Sequence, residues 1–363
     1  MKKITALIIM ALLIVVAGTA GAGLLRANAA SNVGDFSYEI ACYNGESVAH
    51  ILKYNGSDAN VTVPDKIGGV PVVIIGTNAF AENTTLKSVT LPDTVEVIDA
   101  YAFNKCTALT TAILSNNLTC LNTGAFDGCT ALNNITLPDS LTSLCGYCFF
   151  ECKSLTSISI PDSVTSMGDA VFSLCSSLKS AKFSAGMTKI PEDTFYMCSA
   201  LQELEVPDSV TSIKYSAFDG CTNLAKVIIP ESVESILGWA FNNCGKLVIY
   251  CYEDSYAHAY AQENEIDFVL IEKPIVFTLG DINNDGDINN ADLLLMRRNI
   301  SDSIKYSFDE RQFKAADING DNTIDNKDLI KLRRYLSDSK KYPLVEPEDP
   351  GSSEYELPII PVR

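Results

Sequence analysis

Residues 160–178 read Ile160-Pro-Asp-Ser-Val-Thr-Ser-Met-Gly-Asp-Ala-Val-Phe172-Ser-Leu-Cys175-Ser-Ser-Leu178, and the same frame recurs in both directions along the chain. Phe172 is one of eight phenylalanines, Phe80, Phe103, Phe126, Phe149, Phe172, Phe195, Phe218 and Phe241, that stand 23 residues apart. Three residues beyond them come Cys106, Cys129, Cys152, Cys175, Cys198, Cys221 and Cys244, with Asn83 in that place in the first copy. Six residues beyond come Leu86, Leu109, Leu132, Leu155, Leu178, Leu201, Leu224 and Leu247. A period held through three columns marks a solenoid. Each copy is one coil, too small to bury its own apolar face, and stability comes from stacking on its neighbours.

After each leucine the chain alternates, as in Leu155-Thr-Ser-Ile158-Ser-Ile160, which is the period of a strand with one buried face. Pro92, Pro138, Pro161, Pro207 and Pro230 then end the strand by removing a backbone donor and fixing φ. Two more apolar columns, from Val72 to Val233 and from Ile75 to Ile236, complete the interior.

Twelve cysteines in an exported chain would ordinarily suggest a disulfide framework. Seven of them occupy one column, however, which reads as a buried ladder of small side chains, since cysteine is among the most buried residue types. Only His50 and His258 are present, so no Cys/His zinc set accompanies the column. Cys145 and Cys148 form a CxxC, but Cys148 stands where other copies have Ala79, Ala102, Ala125, Ala217 and Ala240, and packing accounts for it.

The frame Ile-Pro-Asp-Ser-Val-Thr-Ser-x-Gly-x-x-x-Phe-x-x-Cys-x-x-Leu resembles the leucine-rich repeats of BspA-type bacterial surface proteins over about 60–250. The resemblance implies a mainly β leucine-rich-repeat solenoid of eight 23-residue repeats with caps. It implies an N-terminal hairpin cap within 31–63 and a C-terminal helix-and-strand cap closing a solenoid that runs over 64–271. Caps cover the apolar surface and unpaired strand edges of the end coils.

The outward strand positions, from Ser88 and Thr90 to Lys226 and Ile228, are mostly small and polar, with charge toward the C-terminal half. No aromatic ring stands there to stack on a sugar. Glu203 and Glu205 could suggest a glycosidase pair, but an open polar strand offers nothing to set their acidities apart. The face reads as a rigid platform for an unknown macromolecule, by analogy with other solenoids.

From Gly280 the pattern changes. Asp281, Asn283, Asp285, Asp287, Asn289 and Asp292 fall on positions 1, 3, 5, 7, 9 and 12 of an EF-hand-like loop, with Gly286 at position 6. Asp317, Asn319, Asp321, Thr323, Asp325 and Asp328 repeat the spacing 36 residues later, with Asn322 in the glycine's place. Calcium takes six to eight oxygen ligands, and a tight loop aims every second side chain inward. The expected donors are side-chain oxygens, with backbone carbonyls at Asp287 and Thr323 and with Asn289 acting directly or through a water, so two Ca²⁺ are expected. Asn322 fits because asparagine enters the left-handed region more readily than most residues.

Position 12 is aspartate in both loops, and each loop runs into one amphipathic helix (Leu293, Met296, Ile300; Leu329, Leu332, Leu336) with no helix expected to enter it. These features resemble type I dockerins, small all-α modules that fasten proteins to the cohesin domains of a scaffoldin in a cellulosome. The resemblance spans 275–342 and continues through Arg297-Arg298 and Arg333-Arg334, so near two-fold symmetry is expected. It implies cohesin contacts at Asn290, Ala291, Arg297, Arg298 and Asp302, or equivalently at Asn326, Lys327, Arg333, Arg334 and Asp338.

Lys2, Lys3 and the apolar run from Ile4 read as a secretory signal peptide over 1–30; uncleaved, the run is also long enough to anchor in a bilayer. Residues 343–363 contain five prolines and read as an extended tail. A net charge of −18 disfavours nucleic acid and anionic membranes, which would repel it. The expectation is a secreted, non-catalytic adaptor on the cell-surface cellulosome of an anaerobic bacterium. The alternatives are an accessory polysaccharide-degrading enzyme and a secreted inhibitor or adhesin.

Overall fold

The computed structural model describes residues 25–26, 31–272 and 277–344, which divide into two compact units at Leu270 and Ile271. Most of the expected signal segment and of the proline-rich tail therefore lies outside the described residues. Among those described, no helix is long and apolar enough to cross a membrane.

In the first unit each coil contributes two short parallel strands. One ladder includes Ser88–Thr90, Thr111–Ile113 and Asn134–Ile135, with Ser88 opposite Thr111 and Thr111 opposite Asn134. It resumes in Glu203–Glu205, Lys226–Ile228, Val248–Cys251 and Asp267–Leu270. The other ladder includes Val97–Ile98, Cys120–Leu121, Ser143–Leu144 and Ser166–Met167. This second strand is absent from the sequence reading, because two residues are too few to display an alternation.

Between the strands the chain turns sharply around each phenylalanine. The residues two before and two after it are left-handed: Tyr101 (φ 58°) and Lys105 (φ 54°), Tyr147 (φ 60°) and Glu151 (φ 55°), Trp239 (φ 60°) and Asn243 (φ 58°). Bulky residues disfavour this region, so the coil imposes the conformation against local preference. Backbone bonds such as Phe103 N to Ala125 O (2.8 Å) and Phe126 N to Cys148 O (2.8 Å) tie each turn to the next.

The phenylalanines form one continuous stack. Centroids lie 4.9 Å apart from Phe80 to Phe103 and 5.6 Å apart from Phe126 to Phe149 and from Phe149 to Phe172, with the latter rings within 4° of parallel. Ring spacing thus follows the strand spacing of the ladders. Tyr54 extends the stack at one end, 5.2 Å from Phe80, and Tyr260 closes it edge-on, 6.2 Å from Phe241.

The cysteine column is buried, and its thiols are directed. Cys175 Sγ donates to Phe149 O (3.1 Å), a carbonyl that also accepts Cys152 N (3.1 Å). The same bond joins Cys106 to Phe80, Cys129 to Phe103, Cys152 to Phe126, Cys198 to Phe172, Cys221 to Phe195 and Cys244 to Phe218. Each thiol thereby occupies the second lone pair of a buried carbonyl.

Both ends are covered. Phe36–Tyr43 and Glu46–Tyr54 form an antiparallel hairpin, and the latter strand pairs in parallel with Val70–Ile75. At the other end helix α1 (Tyr256–Glu263), capped by Ser255, precedes the last strand, Asp267–Leu270.

The second unit holds helices α2 (Asn290–Ser301), α3 (Glu310–Ala316) and α4 (Asn326–Ser337) around a core that includes Leu279, Ile282, Met296, Ile318 and Leu332. Helix α3 corrects the sequence reading, for it runs directly into Asp317 and so does enter the second loop. Its seven residues are too short to show a helical period; the signal was the reciprocal cap between Asp309 and Gln312.

Candidate calcium and docking site

Each acidic loop is closed by its own backbone. Asp281 accepts Asp285 N (3.2 Å) and Gly286 N (3.1 Å), and Asp292 accepts Ile282 N (2.8 Å) and Asn289 N (2.9 Å). In the second loop Asp317 accepts Asp321 N (3.1 Å) and Asn322 N (2.8 Å), while Asp328 accepts Asn319 N (3.0 Å) and Asp325 N (3.0 Å). Gly286 (φ 89°) and Asn322 (φ 58°) are both left-handed, so asparagine meets the backbone demand of position 6.

Asp281, Asp292, Asp317 and Asp328 are buried, whereas Asn283, Asp285, Asp287, Asp321 and Thr323 open to solvent and Asn289, Asn319 and Asp325 are half-buried. Burial pushes the Asp328 carboxyl above its ordinary value, against the backbone bonds from Asp325 and Asn319. Among the described residues no three His, Cys, Asp or Glu side chains converge as a ready-made metal cluster. The loops instead alternate carboxylates with asparagine, a mixed oxygen set that fits a hard divalent cation once the loop tightens. No lysine or arginine among the described residues pairs with the first loop's carboxylates. The second loop differs: Lys327 Nζ lies 3.1 Å from Asp321 Oδ2 and 3.7 Å from Asp325 Oδ2.

The two halves match far beyond the loops. Asn289 and Asp325 cap α2 and α4 through the N–H groups of Ala291 and Lys327, each with a reciprocal cap from the position-12 aspartate. Both helices end at an aspartate whose side chain accepts a later backbone N–H: Asp302 from Lys305 (3.0 Å) and Asp338 from Lys341 (3.1 Å). Lys305 then lies 5.1 Å over the Tyr306 ring and Lys341 5.2 Å over Tyr342.

All ten expected partner positions are exposed: Asn290, Ala291, Arg297, Arg298 and Asp302 on one half, Asn326, Lys327, Arg333, Arg334 and Asp338 on the other. Sequence reasoning missed Leu294 (47% exposed) and Ile330 (48%), which bring an apolar residue to the same position on each helix. It also missed two anchors of the loop starts. Arg311 on α3 donates to Asp281 O (2.9 Å) and Ile282 O (3.3 Å), and Lys331 on α4 donates to Ile318 O (3.3 Å).

On the solenoid the outward strand residues lie where the alternation puts them, and one shallow groove of about 460 Å³ opens beside Lys182, Glu203, Glu205 and Lys226. Glu203 and Glu205 flank buried Leu204 on an exposed strand.

Stacked two-strand coils joined to a duplicated acidic loop–helix unit define a repeat solenoid carrying an EF-hand-like docking module. Family profiles agree: one described as BspA type leucine rich repeat region matches residues 73–202 and 188–262, and one described as dockerin type I domain matches 279–337. The chain belongs to the BspA-type leucine-rich-repeat family and carries a C-terminal type I dockerin domain. Type I dockerins bind calcium and imply a cohesin partner, hence anchoring to a cellulosome and an extracellular or cell-surface setting; the repeats point to a protein partner. No enzyme family is matched.

Among solved structures, the leucine-rich-repeat protein of Treponema pallidum is 26% identical over 66% of this chain and 97% of its own, with a TM-score of 0.46. A Bacteroides ovatus leucine-rich-repeat protein is 22% identical over 61% of this chain and 70% of its own, with a TM-score of 0.46. A leucine-rich cell-surface protein of Faecalibacterium prausnitzii is 22% identical over 66% of this chain and 98% of its own, with a TM-score of 0.29. No curated protein matches the chain.

Proposed function

We propose that this chain is a secreted, non-catalytic adaptor whose residues 275–342 dock on a scaffoldin cohesin while the outward strands of the solenoid hold a second macromolecule. The observation that carries the reading is the matching set of loop-closing and helix-capping bonds in the two halves, with the exposed arginine pairs of α2 and α4 in register.

One Ca²⁺ per loop would be held by Asp281, Asn283, Asp285, Asn289 and Asp292 with the Asp287 carbonyl, and by Asp317, Asn319, Asp321, Asp325 and Asp328 with the Thr323 carbonyl. The ion supplies positive charge that neutralises crowded carboxylates, so metal binding becomes folding energy of the module. Arg311 and Lys331 hold the loop starts, and the reciprocal caps set each helix with its exposed face outward. Near symmetry supports a module that can present either helix to the cohesin.

Titrating the full chain with calcium in a calorimeter should register about two ions per chain, and an immobilised type I cohesin should retain the protein in calcium and release it in chelator. No calcium uptake, together with no retention by any cohesin tried, would remove the docking role. Replacing Arg297 and Arg298 by alanine should leave binding through α4, and replacing Arg333 and Arg334 should leave binding through α2. Complete loss from either pair alone would refute the two-faced module. Release of sugar from polysaccharide by the purified chain would favour the enzyme reading instead.

A further inference from the structure

One pair of thiols stands apart from the buried ladder. Cys120 faces outward on the strand Cys120–Leu121, whose partner in the next coil is Ser143–Leu144, and Cys145 follows that partner directly. Both cysteines are half-buried, whereas every cysteine of the 23-residue column is buried. Both thiols donate to one acceptor, Asn122 Oδ1, at 3.4 Å from Cys120 and 3.7 Å from Cys145. Asn122 is itself held by a bond from its Nδ2 to Asp99 Oδ1 (3.0 Å).

The CxxC of the sequence divides differently. Cys148 points into the core, where its Sγ donates to Leu121 O and Asn122 O, both at 3.3 Å. Cys145 opens to the flank. The reactive neighbour of Cys145 is therefore a residue 25 positions earlier, in the adjacent coil, and not the cysteine three positions later.

We propose that Cys120 and Cys145 form a thiol–disulfide exchange site on the flank of the solenoid, which closes to an inter-coil disulfide at the expense of a low-molecular-weight disulfide. The Cys145 thiolate attacks one sulfur of the disulfide, forming a mixed disulfide and releasing one thiolate. Cys120 then loses its proton to the released thiolate and attacks Cys145 Sγ, expelling the second thiolate, which takes up from solvent the proton that Cys145 had released. Two protein thiols are oxidised by two electrons, and one disulfide is reduced to two thiols.

The electrostatics make the pair, rather than either thiol alone, the reactive unit. Once ionised, Cys145 can accept from the Cys120 thiol, which holds it below its ordinary value, with burial opposing and Ser143 assisting. The same bond pushes the Cys120 thiol well above its ordinary value, with burial and the Cys145 charge adding to it. The pair releases its first proton easily and its second reluctantly. Once Cys145 is a neutral mixed disulfide, the charge opposing ionisation of Cys120 is gone. Cys148 is raised chiefly by burial and remains a thiol throughout.

The test uses the full-length protein, native, with glutathione disulfide as probe, followed by acid quenching, alkylation and cleavage before aspartate. That cleavage separates Cys120, on peptide 99–126, from Cys145, on peptide 139–161. The expected product is these two peptides joined through Cys120 and Cys145. In Cys120→Ala glutathione should stay on Cys145, and alkylation of Cys145 at pH 7 should slow by about tenfold as its thiolate loses the Cys120 donor. Cys148→Ala should leave the link unchanged; if that variant fails to fold, the wild-type peptide map decides alone. A link between Cys145 and Cys148, or native protein that takes up no glutathione and forms no link, overturns the assignment.

Discussion

Replacing Phe149 by alanine tests whether the aromatic stack holds the solenoid together. Phe149 is wholly buried and lies between two rings, each 5.6 Å away, at interplanar angles of 0° and 4°. Truncating a core phenylalanine costs about 3–5 kcal/mol through lost transfer energy and the cavity left behind. Each lost stacked contact adds roughly 0.5–1.5 kcal/mol, so the upper bracket is about 4–8 kcal/mol for the pair of contacts and the core loss together. Because coils couple only to their neighbours, the defect should also divide the array, and the transition should broaden or split with a smaller denaturant dependence. Phe241→Ala offers the contrast. Its ring stacks on Phe218 alone, at 5.1 Å, and meets Tyr260 edge-on, so its loss should be smaller and should fray one end. Urea unfolding in saturating calcium, followed by far-ultraviolet circular dichroism, measures both. A loss below about 2 kcal/mol for Phe149→Ala, or equal losses with one sharp transition in both variants, would refute the idea that the stack couples the coils.

Three further outcomes follow from the same contacts. Cys175→Ala should cost about 1–2 kcal/mol in the same unfolding assay, because the Phe149 carbonyl loses its thiol donor yet keeps Cys152 N. Lys327→Ala should raise the calcium affinity of the second loop by about three- to fivefold, the scale of an exposed ion pair. Its ammonium neighbours Asp321 and Asp325, and calorimetry would show the first loop unchanged. Asp99→Asn should be more stable than the parent at neutral pH. Burial raises the Asp99 carboxyl, with His50 and Asn122 offsetting only part, so the folded parent binds its proton more readily than the unfolded chain. That contribution is present at low pH and is lost as pH rises through the raised value, so the gap between variant and parent should close on acidification, as thermal unfolding at pH 4 and pH 7 would show.

The stacking direction was readable in the sequence because Phe80 through Phe241, with the cysteine and leucine columns, repeat in step; periodicity reports which side chains point inward. It does not report what an inward atom bonds. Burial of Cys175 followed from its column, but the aim of its thiol at a carbonyl one coil back depends on turn geometry that residue type does not encode. Tyr54 and Tyr260 lie outside the repeat frame, so their closure of the ring stack was invisible. Tyr101, Tyr147 and Trp239 adopt left-handed backbone against their own preference, which only the coil can impose. In the acidic loops the alternate spacing of Asp281 to Asp292 was legible because it is carried by residue type and interval alone. The ion pair of Lys327 with Asp321 was not legible, because a flexible exposed side chain can fold back onto any acidic neighbour within reach.

The steady register of the coils has a consequence for how such a molecule can change. Since each turn of the chain offers its successor the same cross-section, a tandem copy of 23 codons would insert between existing turns without disturbing either terminus of the stack. Every copy would extend the outward strand face by one strand spacing, about 4.8 Å, while an insertion within a coil that broke the 23-residue register would shear the ring column. The length of the solenoid is therefore adjustable in whole steps.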